Sequence, residues 1–406
     1  MAVNWPIDVP WEPVAGVELA STAAGIRYKG RDDLVLLRLA PNTQVVSVLT
    51  RNAFCAAPVH VVRRHLQHNA AQALIINAGN ANAGTGNAGM QAALESCAVV
   101  AQELGIDPQQ VLPFSTGVIG EAMPIAPFAQ AMPGLVQALC PEGWPRASKA
   151  IMTTDTLPKL RSRVVELGDG RRLTITGMAK GAGMIKPDMA TMLAFIATDA
   201  PMAQGWLNEL LQQAVAQSFN AITVDGDTST NDACVLMATG QAGGSPLTAE
   251  SLDGQIFAEA VTSLMVELAQ GIVRDAEGAT RFIEVRVEGA RDTQEARQVA
   301  LTVAESPLVK TAAFAGDPNW GRILAAIGRS GLEDLDIAGV HLWMDEVRLI
   351  AQGQPDPGYA EERGAAVAAR PEYTIRAVLN RGPATARVWT CDYSYDYVRI
   401  NAEYRS

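Results

Sequence analysis

The chain has 406 residues, enough for two or more lobes that each bury a core. Hydrophobic residues make up 48% and charged residues 18%, the balance of an ordinary globular protein and not of a disordered one. A net charge of −11 argues against the basic face that a nucleic-acid binder carries. The opening residues, Met1 to Asp8, have neither a basic leader nor an apolar stretch, and no uninterrupted apolar run approaches the roughly 18 residues of a bilayer span. The expectation is a cytoplasmic protein with no nucleic-acid and no membrane partner. Cys55, Cys97, Cys140, Cys234 and Cys391 are odd in number and far apart, with no C-x-x-C pair, which reads as reduced structural thiols.

Taken in order, Leu34–Leu39 and Gln44–Leu49 read as strands on either side of the turn-prone Pro41-Asn42. Residues 61–69 read as a helix. His60, His65 and His68 along it find no carboxylate or cysteine to complete a ligand set, so the expectation is a solvated face and no metal. Residues 73–76 form a buried strand and residues 90–104 a helix. Between them, Gly84-Thr-Gly-Asn-Ala-Gly89 matches G-x-G-x-x-G. A dinucleotide loop sets its first glycine directly after the strand, whereas Gly84 lies several residues beyond Ile76. A polar loop lining a pocket is the better reading, without a nicotinamide cofactor.

Residues 111–120 are a strand entering a turn at Ser115-Thr116-Gly117, where exposed N–H groups can stabilise an oxyanion. Residues 152–156 form a hydroxyl-rich connector that would also suit a helix cap. Residues 163–167 and 171–175 pair as a hairpin around Gly168-Asp169-Gly170 and deliver the chain to residues 177–193. There Gly181 and Gly183 allow close backbone approach, and Pro187 turns Lys186 away from helix. Residues 192–197 are apolar and β-prone, which puts Thr191 at the mouth of a buried strand behind a flexible loop. A threonine opening a strand is ordinarily just that. Ala190 leaves the preceding carbonyl almost unshielded, but on the Ala-Thr pair alone the plain strand residue remains the better reading. Attack by the Thr191 hydroxyl on that carbonyl would cleave the chain and free an α-amine. With an unperturbed pKa of about 7.7–8.0, that amine can serve as the hydroxyl's own general base.

Downstream, residues 206–219 and 257–273 carry helical spacing. Residues 224–232 imitate a calcium loop at Asp225, Asp227, Ser229 and Asn231. Thr230 stands where the loop needs Gly and Leu236 where it needs Glu, so the run reads as a polar turn. Residues 274–280 end a helix, where Glu277 alone would be a last-turn carboxylate. A strand (282–287), helices (297–304 and 320–327), two more strands (341–349 and 372–379) and an aromatic strand after Arg387 complete a late α/β block.

The run Lys180-Gly-Ala-Gly-Met-Ile-Lys-Pro-Asp-Met-Ala-Thr-Met-Leu193 resembles the self-cleavage site of the ornithine acetyltransferase family, the glutamate N-acetyltransferases of arginine biosynthesis. The likeness recurs at Thr50-Arg-Asn-Ala-Phe-Cys-Ala-Ala-Pro58, Ser115-Thr-Gly117, Gly316-Asp-Pro-Asn-Trp-Gly-Arg322 and Arg399-Ile-Asn-Ala-Glu-Tyr-Arg-Ser406, and so spans nearly the whole chain. It implies an α/β fold: a layered αββα sandwich of the N-terminal-nucleophile type built by both cleaved chains, with a smaller C-terminal α/β lobe. It implies cleavage between Ala190 and Thr191 into chains 1–190 and 191–406, which stay associated as a heterotetramer of two of each. The activity implied is acetyl transfer from N2-acetyl-L-ornithine to L-glutamate through an acetyl-Thr191 intermediate. Thr116 and Gly117 would form the oxyanion hole, and Thr153, Lys180, Thr191, Glu277, Asn401 and Ser406 would bind substrate. Lys180 would meet a substrate carboxylate and Glu277 a cationic ornithine amine. No cofactor or metal is implied, with acetyl-CoA a candidate co-substrate. Lys186, Tyr393 and Tyr395 depart from the family pattern. Two other readings stay open: an amidohydrolase or aminopeptidase with the same activated threonine and water as acceptor, and an uncleaved small-molecule binding protein.

Overall fold

The computed structural model describes residues 2–68, 71–186, 192–203 and 205–403. Two compact units result. The larger is Pro6–Asn220 with Thr228–Ile272, and the smaller is Met1–Trp5 with Ala221–Asp227 and Val273–Ser406.

The larger unit runs β1 (Val17–Thr22), β2 (Leu34–Leu39), β3 (Gln44–Leu49), α1 (Ala57–His68), β4 (Ala73–Asn80), α2 (Gly86–Leu104), β5 (Val111–Val118), α3 (Ala126–Gln137), α4 (Trp144–Ala150), β6 (Lys159–Glu166), β7 (Arg172–Lys180), β8 (Leu193–Thr198), α5 (Trp206–Gln217), β9 (Ala233–Ala238) and α6 (Leu252–Arg274). One sheet has the order β1-β2-β4-β5 and the other β3-β9-β8-β7-β6. Pairing is antiparallel except at β4–β5 and β8–β9. Thus β2 and β3, adjacent in sequence, belong to different sheets. The turn between them, with Asn42 at φ 65°, carries the chain across.

The inner faces of the two sheets share one core. Leu19, Leu37, Ile76 and Phe114 of the first meet Met178, Phe195, Val235 and Met237 of the second. Phe114 and Phe195 touch edge to face, with ring centroids 5.1 Å apart. Helices α1, α2 and α3 cover the outer face of the first sheet, Val61, Cys97 and Phe128 packing on Leu36 and Ile75. On the outer face of the second lies α6: a Cβ added at Gly177 would sit 3.1 Å from both Leu264 and Leu268. Length and apolarity alone would suit α6 to a bilayer span, but its buried side chains line this sheet. The unit is the expected αββα sandwich. Strands buried on both faces read as unbroken apolar runs without alternation, as β8 and β9 do.

The smaller unit runs β10 (Phe282–Ala290), α7 (Thr293–Ala304), α8 (Pro307–Ala315), α9 (Trp320–Gly328), β11 (His341–Met344), β12 (Val347–Ala351), β13 (Gln354–Pro355), α10 (Glu361–Ala368), β14 (Glu372–Val378), β15 (Ala384–Cys391) and α11 (Tyr395–Ala402). Its sheet has the order β13-β12-β11-β14-β10-β15. Alternation along β10 buries Ile283, Val285 and Val287 with Val299, Ile323 and Ile327. Glu284, Arg286 and Glu288 take the other face, where Arg376 pairs with Glu288 at 3.0 Å.

Several expectations need correcting. Residues 177–180 belong to β7, not to a loop, so ordered strand reaches Lys180. Residues 341–349 are two strands that turn at Asp345, with φ 46°. Tyr395 opens a helix and Tyr393 precedes it, because β15 stops at Cys391. His65 is not on a solvated face: it is buried, and its Nδ1 donates to the Val111 carbonyl at 2.8 Å. Burial holds that imidazole below its ordinary pKa, against the opposing pull of the Val111 bond.

Candidate active site

The site begins at the end of β7. Lys180, 8% exposed, is in register with Leu193 of β8. Its Nζ donates to the Thr153 hydroxyl at 2.8 Å and to the Thr116 hydroxyl at 3.3 Å. An ammonium group can only donate, so both hydroxyl oxygens accept, and each keeps its own hydrogen for another partner. Three residues expected on sequence grounds therefore converge on one point.

Asp155 holds this point in place. Its Oδ1 accepts from Lys159 Nζ at 2.6 Å and from the Gly181 N–H at 2.7 Å, and its Oδ2 from the Thr153 N–H at 3.1 Å. Lys180 Nζ stands 3.9 Å from Oδ2. Lys159 and Asp155 are both fully buried. Burial pushes the Asp155 carboxyl up, but the two ammonium groups and the Gly181 N–H outweigh it and hold the group well below the usual carboxylate range. Asp155 and Lys159 went unread in the sequence. The signal was there, an acid and a lysine four residues apart at the start of a strand, but only burial gives it meaning.

Gly117 has φ 136°, in the region that favours glycine. A Cβ there would fall 2.1 Å from the Gly79 carbonyl carbon and 2.5 Å from the Asn80 nitrogen. The parallel pair β4–β5 slips register at this place. The Asn-rich stretch beside it is scaffold. The Ser115 hydroxyl donates to Asn77 Oδ1 at 2.6 Å, Asn77 Nδ2 to the Asn80 carbonyl at 2.8 Å, and Asn82 Nδ2 to the Gly89 carbonyl at 2.9 Å. These amides brace β4, β5 and the first turns of α2, and strand β4 extends through them to Asn80.

The Thr50–Pro58 motif braces the chain ahead of the expected cleavage point. The Thr228 hydroxyl donates to the Lys186 carbonyl at 3.1 Å, Asn52 Nδ2 to the Thr228 carbonyl at 3.0 Å, and the Thr50 hydroxyl to the Ser229 carbonyl at 2.9 Å. Asp232, directly before β9, is 2% exposed, and its Oδ2 has no hydrogen-bond partner among the described residues. Burial raises its pKa well above the usual carboxylate range, against weaker opposing effects of Ser229 and Lys180.

In the smaller unit Asn401 Nδ2 donates to Glu277 Oε2 at 2.8 Å, so those two expected residues also meet. Gly278, with φ 69°, makes this approach feasible: a Cβ there would lie 2.5 Å from the Ser394 hydroxyl and 2.6 Å from the Tyr397 nitrogen. Ala190, Thr191 and Ser406 lie outside the described residues. Among the described residues no group of three or more His, Cys, Asp or Glu side chains gathers to hold a metal.

The model of the ArgJ family matches residues 18–406. The arginine biosynthesis bifunctional protein ArgJ of Methylococcus capsulatus is 54% identical over 399 residues, covering 98% of this chain and 97% of that protein. Its namesake in Psychrobacter arcticus is 51% identical over 395 residues, covering 97% of each. A crystal structure of the arginine biosynthesis bifunctional protein argJ from Bacillus halodurans shares 43% identity with a TM-score of 0.48, over 50% of this chain and 95% of that one. The chain belongs to the ArgJ family.

Proposed function

We propose that the Thr191 hydroxyl is the nucleophile of an acetyl transfer from N2-acetyl-L-ornithine to L-glutamate, unmasked when the chain cleaves itself between Ala190 and Thr191. Membership of the ArgJ family makes the chain an acyltransferase of arginine biosynthesis. The observation that carries the residue-level reading is the meeting of Lys180, Thr116 and Thr153 at the end of β7. Lys180 there is in register with Leu193, two residues beyond Thr191.

In the first half-reaction Thr191 Oγ adds to the acetyl carbonyl and its α-amine takes the hydroxyl proton. The Thr116 hydroxyl and the Gly117 N–H meet the oxyanion. Ornithine leaves with the proton, and acetyl-Thr191 remains. The neutral α-amine of glutamate then attacks this ester, the C–Oγ bond breaks, and the Thr191 α-amine passes the proton shed by nitrogen to Oγ, which frees N-acetylglutamate and restores the hydroxyl. One oxyanion donor in enzymes of this general kind is worth about 2.7–4 kcal/mol. Lys180 offers a fixed positive charge to the α-carboxylate that donor and acceptor both carry. Glu277, oriented by the Asn401 amide, offers a carboxylate to a cationic amine, and Ser406 remains a proposed substrate contact by family likeness. Chains 1–190 and 191–406 would remain together because β7 and β8, on either side of the cut, are hydrogen-bonded neighbours. By the same likeness the processed enzyme works in the cytoplasm as a heterotetramer and needs no cofactor or metal, with acetyl-CoA a candidate second donor.

Intact mass under denaturing conditions with N-terminal sequencing tests this reading. The expected result is two chains, one beginning Thr191-Met192-Leu193, and a single uncut chain for Thr191→Ala. An uncut wild-type protein that turns over acetylornithine would overturn it. Initial rates should show a ping-pong pattern. Acetate release that added glutamate leaves unchanged would instead favour the hydrolase.

A further inference from the structure

Asn231 belongs to the polar run that imitates a calcium loop, yet its side chain is spent on hydrogen bonds within the protein. It is 7% exposed, and its Nδ2 donates to the Ala81 carbonyl at 2.6 Å and the Ser115 carbonyl at 2.9 Å. Its Oδ1 accepts from the Thr230 hydroxyl at 2.7 Å. Both amide hydrogens are thus committed to main-chain oxygens more than a hundred residues away in sequence. One of those oxygens is on the residue just before Thr116. The other is on the residue just after β4, the strand that forces glycine at position 117.

The backbone of the same short segment is tied to the other half of the site. β9 starts two residues after Asn231 and runs parallel to β8, with Ala233 in register with Leu193. The Ala233 N–H donates to the Met192 carbonyl at 2.9 Å. Asn231 therefore stands two residues ahead of Ala233, as Thr191 stands two ahead of Leu193. One residue thus joins the segment that enters β9, the strand paired with the start of β8, to the turn at Ser115–Gly117.

We propose that Asn231 is a positioning residue that sets the Thr116–Gly117 oxyanion donors against the start of β8, the strand that follows Thr191 in sequence. This rests on Thr191 and Thr116–Gly117 having the roles given above. A side chain with one donor hydrogen, or none, cannot hold both carbonyls, and the turn at Ser115 is then free to drift from β9. Displacing a catalytic group by about 1 Å through a remote change can cost about 100-fold in rate. Substrate affinity, which in this reading Lys180 at the end of β7 supplies, anchored by Asp155 ahead of β6, should be largely spared.

The test compares Asn231→Ala, Asn231→Ser and Thr116→Val with wild type, following self-cleavage by intact mass and acetyl transfer by initial rates. Each Asn231 variant should lose about 10- to 100-fold in kcat with KM for glutamate within about twofold of wild type. Adding Asn231→Ala to Thr116→Val should cost much less than it does alone, since both changes disable the same oxyanion site. A residue that merely supports folding would instead add its loss in full. Two soluble Asn231 variants with wild-type kcat, or full additivity with Thr116→Val, would overturn the proposal. Should Asn231→Ala be insoluble, Asn231→Ser carries the same comparison. A wild-type chain left uncut, or full activity in Thr116→Val, would instead sink the parent reading.

Discussion

Two buried carboxyl groups in the larger unit behave in opposite ways. Asp155 sits between Lys159 and Lys180, accepts the Gly181 N–H, and is held ionised. Asp232 is just as deeply buried, keeps one oxygen without a partner among the described residues, and is pushed towards its neutral form. Burial acts the same way on both. What differs is the supply of opposing charge and N–H donors, which at Asp155 exceeds the desolvation penalty and at Asp232 does not. The contrast teaches that a strand end can tolerate an acid either by neutralising it with cations or by leaving it protonated. The first solution also anchors Lys180, the residue proposed to meet a substrate carboxylate.

The comparison can be broken most sharply at Asp155. Asp155→Ala leaves Lys159 buried without its carboxylate, and breaking such a buried pair costs about 3–5 kcal/mol. Thermal melting should fall steeply, and KM for both substrates should rise as Lys180 loses its anchor. A melting point near that of wild type would refute the anchoring role.

Asp232 should respond the other way. Its folded-state pKa is raised, so its contribution to stability is fully present below the ordinary carboxylate value and is lost as pH rises towards the folded value. Asp155, with a depressed pKa, contributes stability above the ordinary value and loses it as pH falls. Asp232→Asn should therefore melt higher than wild type at pH 7, with the gap closing on acidification. A variant that melts lower at neutral pH would show that the Asp232 carboxyl makes a contact worth more than its burial costs. The smallest effect belongs to an exposed pair of the smaller unit. Asp396→Ala removes a bond to Arg399 in which both side chains are more than 60% exposed, and melting should not change measurably.

How much of this could be read in advance varied with the kind of interaction. Strands β2 and β3 and the 163–175 hairpin were legible because apolar runs bounded by turn residues are local signals. Strand β9 was not: its apolar run follows directly on a polar turn, and nothing local marks where one ends and the other begins. Strand β1 and helices α3, α4, α8 and α10 also went unread, being short and without strong caps, apart from Ser306 at the start of α8. His65 misled because helical periodicity says which residues share a face but not which neighbour covers that face.

By itself the sequence determined many of the strands and helices, such as β2, β3 and the β6–β7 hairpin, and the motif that pointed to the family. Each depends on residues adjacent in the chain or on their identities alone. Only the tertiary structure decided that Lys180 meets Thr116 and Thr153, 64 and 27 residues away, and that Asn401 meets Glu277 across 124. It alone decided which buried acid stays charged. The physical reason is that ionisation and hydrogen bonding depend on distance and desolvation in space, and a linear pattern specifies neither until the sheets have closed on each other.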